Sequence, residues 1–127
     1  MDERTLHEVA LRTALALPVV THGFPFGPET DVCKVVDRVF MVCGTHGGER
    51  AGEPIVTVKC EPPFGLALRE EYPTITPGYH MNKQHWISIG VGPGITEELV
   101  TEIVTNAYEL VVELMPKAKR PGVPRNA

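Results

Sequence analysis

The sequence has no long apolar run. No segment approaches the ~18 uninterrupted apolar residues that a membrane-spanning helix requires. The first residues are acidic and Arg12 interrupts the apolar positions that follow, so the features of a secretory signal peptide are missing too. These absences predict a cytoplasmic protein with no membrane partner.

Positive charge is also scarce. Twelve Lys and Arg residues stand against sixteen Asp and Glu residues, which gives a formal net charge of -4. Such a balance excludes a protein that holds polyanions by bulk positive charge, as histone-like proteins do. A local basic patch remains compatible with it.

Motifs of the common catalytic and metal sites are missing as well. The three cysteines form no C-x-x-C pair, which indicates small apolar residues in the strands of a reduced protein. The glycine-rich segment 44–53 has Gly47 and Gly52 at the spacing of a P-loop, but Glu53 stands where the phosphate-binding lysine must be. No histidine pair has metal-ligand spacing. We therefore predict no catalytic residue, no cofactor and no metal, and a protein that is not an enzyme. A metal site that only the folded chain assembles stays open, and its candidate ligands are His22, His46, His80 and His85.

The chain length of 127 residues suits one domain with one core. Hydrophobic residues make up 43% of it, a normal share for a globular protein. We expect a monomer whose single domain comprises residues 1–127, with a core over about 3–116 and a basic flexible tail over 117–127.

Apolar residues at helical spacing predict two long helices. The first covers residues 3–17 and stops before Pro18. The second begins after Thr96, a good N-cap residue, and ends before Pro116. A short helix is expected from Pro62 to Glu71. The apolar face predicted for the last helix comprises Leu99, Ile103, Ala107, Leu110 and Leu114.

Alternating and β-branched residues predict strands over 31–36, 39–44, 54–60 and 86–91, the first two forming a hairpin around Asp37-Arg38. Residues 19–30 are rich in glycine and proline, so we expect an irregular loop that Phe24 and Phe26 anchor to the core. Pro77-Gly78 is expected to form a turn. The order of elements indicates an α+β fold, an antiparallel sheet with the helices packed on one face. The opposite face would then carry Lys34, Lys59 and Ser88.

Residues 76–86, TPGYHMNKQHW, combine hydrogen-bonding, cationic and stacking side chains, which are the groups that recognise nucleic acids. The alternative is a turn whose Tyr79 and Trp86 are buried while its polar residues face water. The basic tail after Pro116 adds positive charge that could likewise contact nucleic acid. The alternative is a solvated helix end whose positive charge is favoured by the helix dipole.

At these residues the sequence resembles a known family. The run LREEYPTITPGYHMNKQHW at 68–86 resembles the signature of the MmcQ/YjbR family, and the resemblance spans about residues 6–117. Further matches are FPFGP at 24–28, CKVVDRVF at 33–40, VKCEPP at 58–63 and AYELVVELMPK at 107–117. The resemblance implies a CyaY-like fold and a double-wing arrangement, from which members are described as predicted DNA-binding proteins. Segment 44–53 is longer and richer in glycine than the family pattern.

Together these features predict a small module that binds DNA or another nucleic acid. The alternative is a protein-interaction or small-ligand-binding domain without catalytic activity. The residues predicted to contact nucleic acid are Lys34, Arg38, Lys59, Tyr79, His80, Asn82, Lys83, His85 and Trp86.

Overall fold

The computed structural model of the chain describes residues 1–45, 52–78 and 82–121. Its three α-helices are α1 (Glu3–Leu15), α2 (Pro62–Glu71) and α3 (Glu97–Glu113). Its six strands are β1 (Val20–Gly23), β2 (Asp31–Val35), β3 (Arg38–Thr45), β4 (Pro54–Lys59), β5 (Ile75–Pro77) and β6 (Trp86–Ile89). A 3-10 turn (Lys117–Lys119) follows α3. The α+β class predicted from the sequence is confirmed.

Both long helices begin with a side-chain cap. The Asp2 carboxylate accepts a hydrogen bond of 2.8 Å from the Thr5 backbone N–H, and the Thr96 hydroxyl accepts one of 3.2 Å from that of Leu99. Each cap satisfies a backbone donor that has no partner within the helix. The predicted role of Thr96 is thereby confirmed.

All six strands join one antiparallel sheet in the order β1-β2-β3-β4-β6-β5. Val36 and Asp37 form the turn between β2 and β3, with φ of 47° and 63°. Positive φ at both positions matches the twist of a two-residue hairpin, although neither residue is the usual glycine or asparagine. A bulge in β3 follows, because Cys33 pairs with Met41 while Lys34 pairs with Val39, and Phe40 lies between those two pairs.

The secondary structure predicted for two segments, now seen at the two edges of the sheet, was wrong. Residues 20–23 form β1 and residues 75–77 form β5, where an irregular loop and a turn were expected. Both are short edge strands that gain their regular structure from backbone pairing with one neighbour. Phe24 and Phe26 do not anchor their loop, since 50% and 67% of their surfaces are exposed. They follow β1 where the chain leaves the sheet.

The core lies between one face of the sheet and the helices. Helices α1 and α3 pack against each other over the central strands, and α2 lies beside β5. The buried face of α3 differs in part from the predicted face. Leu114 is 61% exposed, and several residues that directly follow a predicted position in the sequence are buried instead. Tyr108 is among them and donates a hydrogen bond of 2.8 Å to the Pro18 carbonyl. The buried residues of α3 are Val100, Ile103, Val104, Ala107, Tyr108 and Val111.

No helix in these described ranges has the length and the apolar character to cross a membrane.

Candidate nucleic-acid interface

Lys34 and Lys59 lie on the same face of the sheet. Cys33, Met41 and Val58 form one cross-strand row, and all three are buried in the core beneath the helices. Lys34 and Lys59 each follow a member of that row, so their side chains point to the opposite face, as predicted. Only β3 separates their strands, which puts the two backbones about 10 Å apart.

Trp86 lies on the same face as the two lysines, on the neighbouring strand β6. It pairs directly with Lys59, and the Lys59 Nζ lies 5.3 Å from the centroid of the indole ring. At that distance the ammonium group is attracted by the electron-rich face of the ring. Trp86 and both lysines are half-buried, so each side chain remains partly accessible to solvent.

Other predicted residues lie at the same end of the sheet. Arg38 begins β3 beside the hairpin turn and is exposed, but it pairs with the buried core residue Val35, so its side chain lies on the helix side of the sheet and not on the face of Lys34 and Lys59. Asn82, Lys83 and His85 are exposed in the turn that leads into Trp86. The Asn82 side chain accepts a hydrogen bond of 3.0 Å from the Gln84 backbone N–H. The His85 carbonyl accepts one of 2.8 Å from the N–H of Cys60, which joins this turn to the end of β4. We call Lys34, Arg38, Lys59, Lys83 and Trp86 the basic end of the sheet.

Tyr79 and His80, also predicted to contact nucleic acid, lie outside the described residues. The same holds for His46, one of the candidate metal ligands, and for most of the glycine-rich segment 44–53.

Ser88 occupies the predicted face but is not available for contact. It is fully buried, and its hydroxyl lies 2.8 Å from that of Thr57, which is buried as well. The middle of this face is therefore closed, and the accessible cations lie at the end where β4 stops and β6 starts.

Helix α3 and the sheet differ in the sign of their charges. Helix α3 carries five glutamates and no basic residue, and all five are exposed. Residues 31–45, 54–59 and 82–89 carry four basic side chains against Asp31 and Asp37. These segments thus carry a small excess of positive charge, while Glu53 and Glu61 flank β4.

Sequence reasoning missed a cluster on the helix side of the sheet. Asp31, at the start of β2, accepts hydrogen bonds from Nε2 of His7 at 2.8 Å and from Nε2 of His22 at 2.7 Å. The three residues come from α1, β1 and β2, and 24 positions separate His7 from Asp31. No short-range sequence pattern signals such a contact.

Two of the four histidines that the sequence leaves open as metal ligands, His22 and His85, lie in the described part of the chain. Four strand spacings, about 19 Å, separate β1, which contains His22, from β6, which begins one residue after His85. Among the residues that the structure describes, no group of three or more His, Cys, Asp or Glu side chains could hold a metal ion.

Comparison with known proteins agrees with the resemblance seen in the sequence. The uncharacterized protein YbdF of Escherichia coli O157:H7 is 42% identical over 126 residues, which cover 96% of this chain and 100% of that protein. The uncharacterized protein YjbR of Escherichia coli K12 is 28% identical over 87 residues, covering 68% of this chain and 70% of that protein.

Solved structures confirm the fold. The crystal structure of Deinococcus radiodurans protein DR2400, with domain DUF419, matches with a TM-score of 0.75 and 30% identity, covering 90% of this chain and 86% of that one. A Pseudomonas syringae protein matches with a TM-score of 0.66 and 18% identity, covering 87% and 98%. The YjbR family model matches residues 15–110. The chain therefore belongs to the YjbR family.

Proposed function

We propose that this protein binds nucleic acid, DNA or RNA, at the basic end of the sheet. The observation that carries the proposal is the shared face of Lys34, Lys59 and Trp86, with an ammonium group held 5.3 Å from the indole centroid. Ammonium groups provide the phosphate contacts that supply most nonspecific affinity, and an aromatic ring provides a surface for a base.

Electrostatics supports this location over the helix layer. The exposed glutamates of α3 repel phosphate, whereas the sheet segments at the basic end carry an excess of cations. We expect few phosphate contacts, so binding should be measurable at low salt, weak at physiological salt, and shallow in its dependence of log K on log salt.

The test is fluorescence anisotropy of labelled DNA and RNA across a salt series. The double substitution Lys34→Gln/Lys59→Gln removes two phosphate contacts, so it should weaken binding and reduce the slope of log K against log salt by about 2.

The matched control is Arg4→Gln/Arg12→Gln, which removes the same charge from α1. Arg4 and Arg12 form exposed ion pairs with Glu8 and Glu97, and such pairs contribute little stability. The control should bind as the wild type does. No affinity at low salt, or equal losses in both double variants, would refute nucleic-acid binding at this end.

The alternative is a protein-interaction or small-ligand domain, which the exposed Phe24 and Phe26 favour. Exposed aromatic residues are common anchors at protein interfaces. This function predicts that Phe24→Ser/Phe26→Ser abolishes binding of a purified partner while leaving any oligonucleotide affinity unchanged. Thermal-shift measurements against metabolites test the small-ligand form, since a specific ligand raises the melting temperature. That the protein is not an enzyme remains a prediction.

A further inference from the structure

The surroundings of Trp86 indicate which form of nucleic acid the basic end would take. Lys59 flanks the residue on β4, and the backbone of Gly78 flanks it on the other side, where the Gly78 N–H donates a hydrogen bond of 2.8 Å to the Trp86 carbonyl. A Cβ atom on Gly78 would lie 2.5 Å from the Trp86 Cβ. The pairing therefore requires glycine, and no side chain from position 78 stands beside the indole.

We propose that the basic end binds single-stranded nucleic acid, with one base stacked on the indole of Trp86 and the adjoining phosphates close to Lys59 and Lys34. This inference rests on the proposed nucleic-acid function and specifies its substrate class.

The chemistry of these groups favours a single strand over a duplex. Bases in a duplex are stacked on each other and present only their edges to a protein, whereas an unpaired base presents its face. An indole has a large face and one hydrogen-bond donor, Nε1–H, so it is suited to stacking and poorly suited to reading base edges. A lysine ammonium group acts as a point charge and cannot form the bidentate hydrogen bonds of an arginine guanidinium group. We therefore expect little sequence preference.

Trp86 is the only tryptophan in the chain, so its fluorescence reports on this site alone. The experiment titrates the whole protein at low salt with oligothymidylate of about 12 nucleotides, a length within the range of single-strand sites. A duplex of the same length is the comparison, and both are followed by anisotropy and by Trp86 emission. We expect the single strand to quench Trp86 and to bind at least about tenfold more tightly than the duplex.

Two further measurements separate stacking from charge. Trp86→Leu should lose about tenfold or more in single-strand affinity while keeping the salt slope, because the lysines remain. An oligonucleotide of abasic nucleotides keeps the phosphates, so it should bind the wild-type protein weakly and leave Trp86 emission unchanged. The abasic measurement needs no variant and therefore stands if Trp86→Leu does not fold.

The outcomes distinguish this inference from the function on which it rests. Binding of the duplex as tightly as the single strand, or single-strand binding that leaves Trp86 emission unchanged, overturns the inference and leaves nucleic-acid binding intact. Equal affinity for abasic and normal strands likewise overturns the stacking. Absence of any binding at low salt overturns the proposed function itself.

Discussion

Nε2 of His22 donates a hydrogen bond of 2.7 Å to Oδ1 of Asp31, which ties the edge strand β1 to the start of β2 through side chains. The other oxygen of Asp31 accepts from His7, so one carboxylate joins β1, β2 and α1. A carboxylate only accepts hydrogen bonds, so both rings carry their proton on Nε2.

We predict that Asp31→Ala destabilises the protein by about 1–3 kcal/mol, because it removes two hydrogen bonds to a charged group that is 15% exposed. The loss should be concentrated at β1, whose amide hydrogens should exchange faster than those of β3 and β4. Urea unfolding and hydrogen exchange measure the two effects. Glu29→Ala is the matched control, since it removes an exposed acid two residues away. Equal stability of the two variants would contradict this role for Asp31.

Gly65 gives a second prediction, since α2 approaches the sheet closely at this residue. An added Cβ would lie 2.8 Å from Cys60 Sγ and 3.3 Å from Ile87 Cγ2. Gly65→Ala should therefore cost about 1–3 kcal/mol through overpacking, although alanine is the better helix former. Gly23→Ala is the control, because no atom lies within 4 Å of its added Cβ, and it should be nearly neutral. Urea denaturation of the two variants provides the comparison, and equal midpoints would contradict the close packing.

Local signals explain which parts of the fold could be predicted from the sequence. Caps, apolar stripes and a two-residue turn lie within a few residues of the elements that they define, and the existence of α1, α3 and the β2–β3 hairpin was predicted correctly. The turn itself lies one residue earlier than expected, at Val36-Asp37, and the buried face of α3 differs from the predicted one. Strands β1 and β5 have four and three residues, and cross-strand pairing makes them regular despite their proline-rich and glycine-rich surroundings.

The candidate site also has features that local sequence signals predict and features that depend on distant packing. Strand alternation alone predicted that Lys34 and Lys59 share a face. It could not predict that Ser88 is buried together with Thr57, or that Asp31 is hydrogen-bonded to both His7 and His22, because burial and these contacts depend on how distant elements pack.

A third prediction concerns the cysteines, all of which are buried. Burial raises the pKa of the Cys33 thiol from its ordinary value of 9.0 to about 11, with a smaller contribution from the nearby Asp31 carboxylate. Burial also raises the pKa values of Cys43 and Cys60. Because the thiolate is the reactive form, a thiol reagent should modify the native protein slowly near neutral pH and all three cysteines quickly after unfolding.

The same pKa shifts make stability depend on pH. Between the ordinary thiol pKa and the raised value of Cys33, the unfolded chain loses protons that the folded chain keeps, so stability falls as pH rises through that window. Below the ordinary value both states are protonated and the thiols contribute no dependence. Urea midpoints of the wild type and Cys33→Ala across this range test the sign, and the variant should show a shallower decline. Rapid modification of the native protein, or equal declines in both, would contradict the raised pKa.

The last prediction compares two phenylalanines in different surroundings. Phe40 is fully buried and its ring meets that of Tyr108 edge-on, with centroids 5.6 Å apart. Phe40→Ala should therefore destabilise the protein by about 3–5 kcal/mol, through lost burial and an unfilled cavity. Phe26 is 67% exposed, so Phe26→Ala should change stability by less than about 0.5 kcal/mol.

Tyr108→Phe separates the hydrogen bond from the ring contact at the same place. It keeps the aromatic packing on Phe40 and removes the bond to the Pro18 carbonyl, so it should cost about 0.5–1.5 kcal/mol. Chemical denaturation of the three variants gives the ranking, with Phe40→Ala most destabilised and Phe26→Ala least. A loss at Phe26 as large as that at Phe40 would mean that the loop after β1 is anchored in the core after all, and the exposure of Phe24 and Phe26 would then need another explanation.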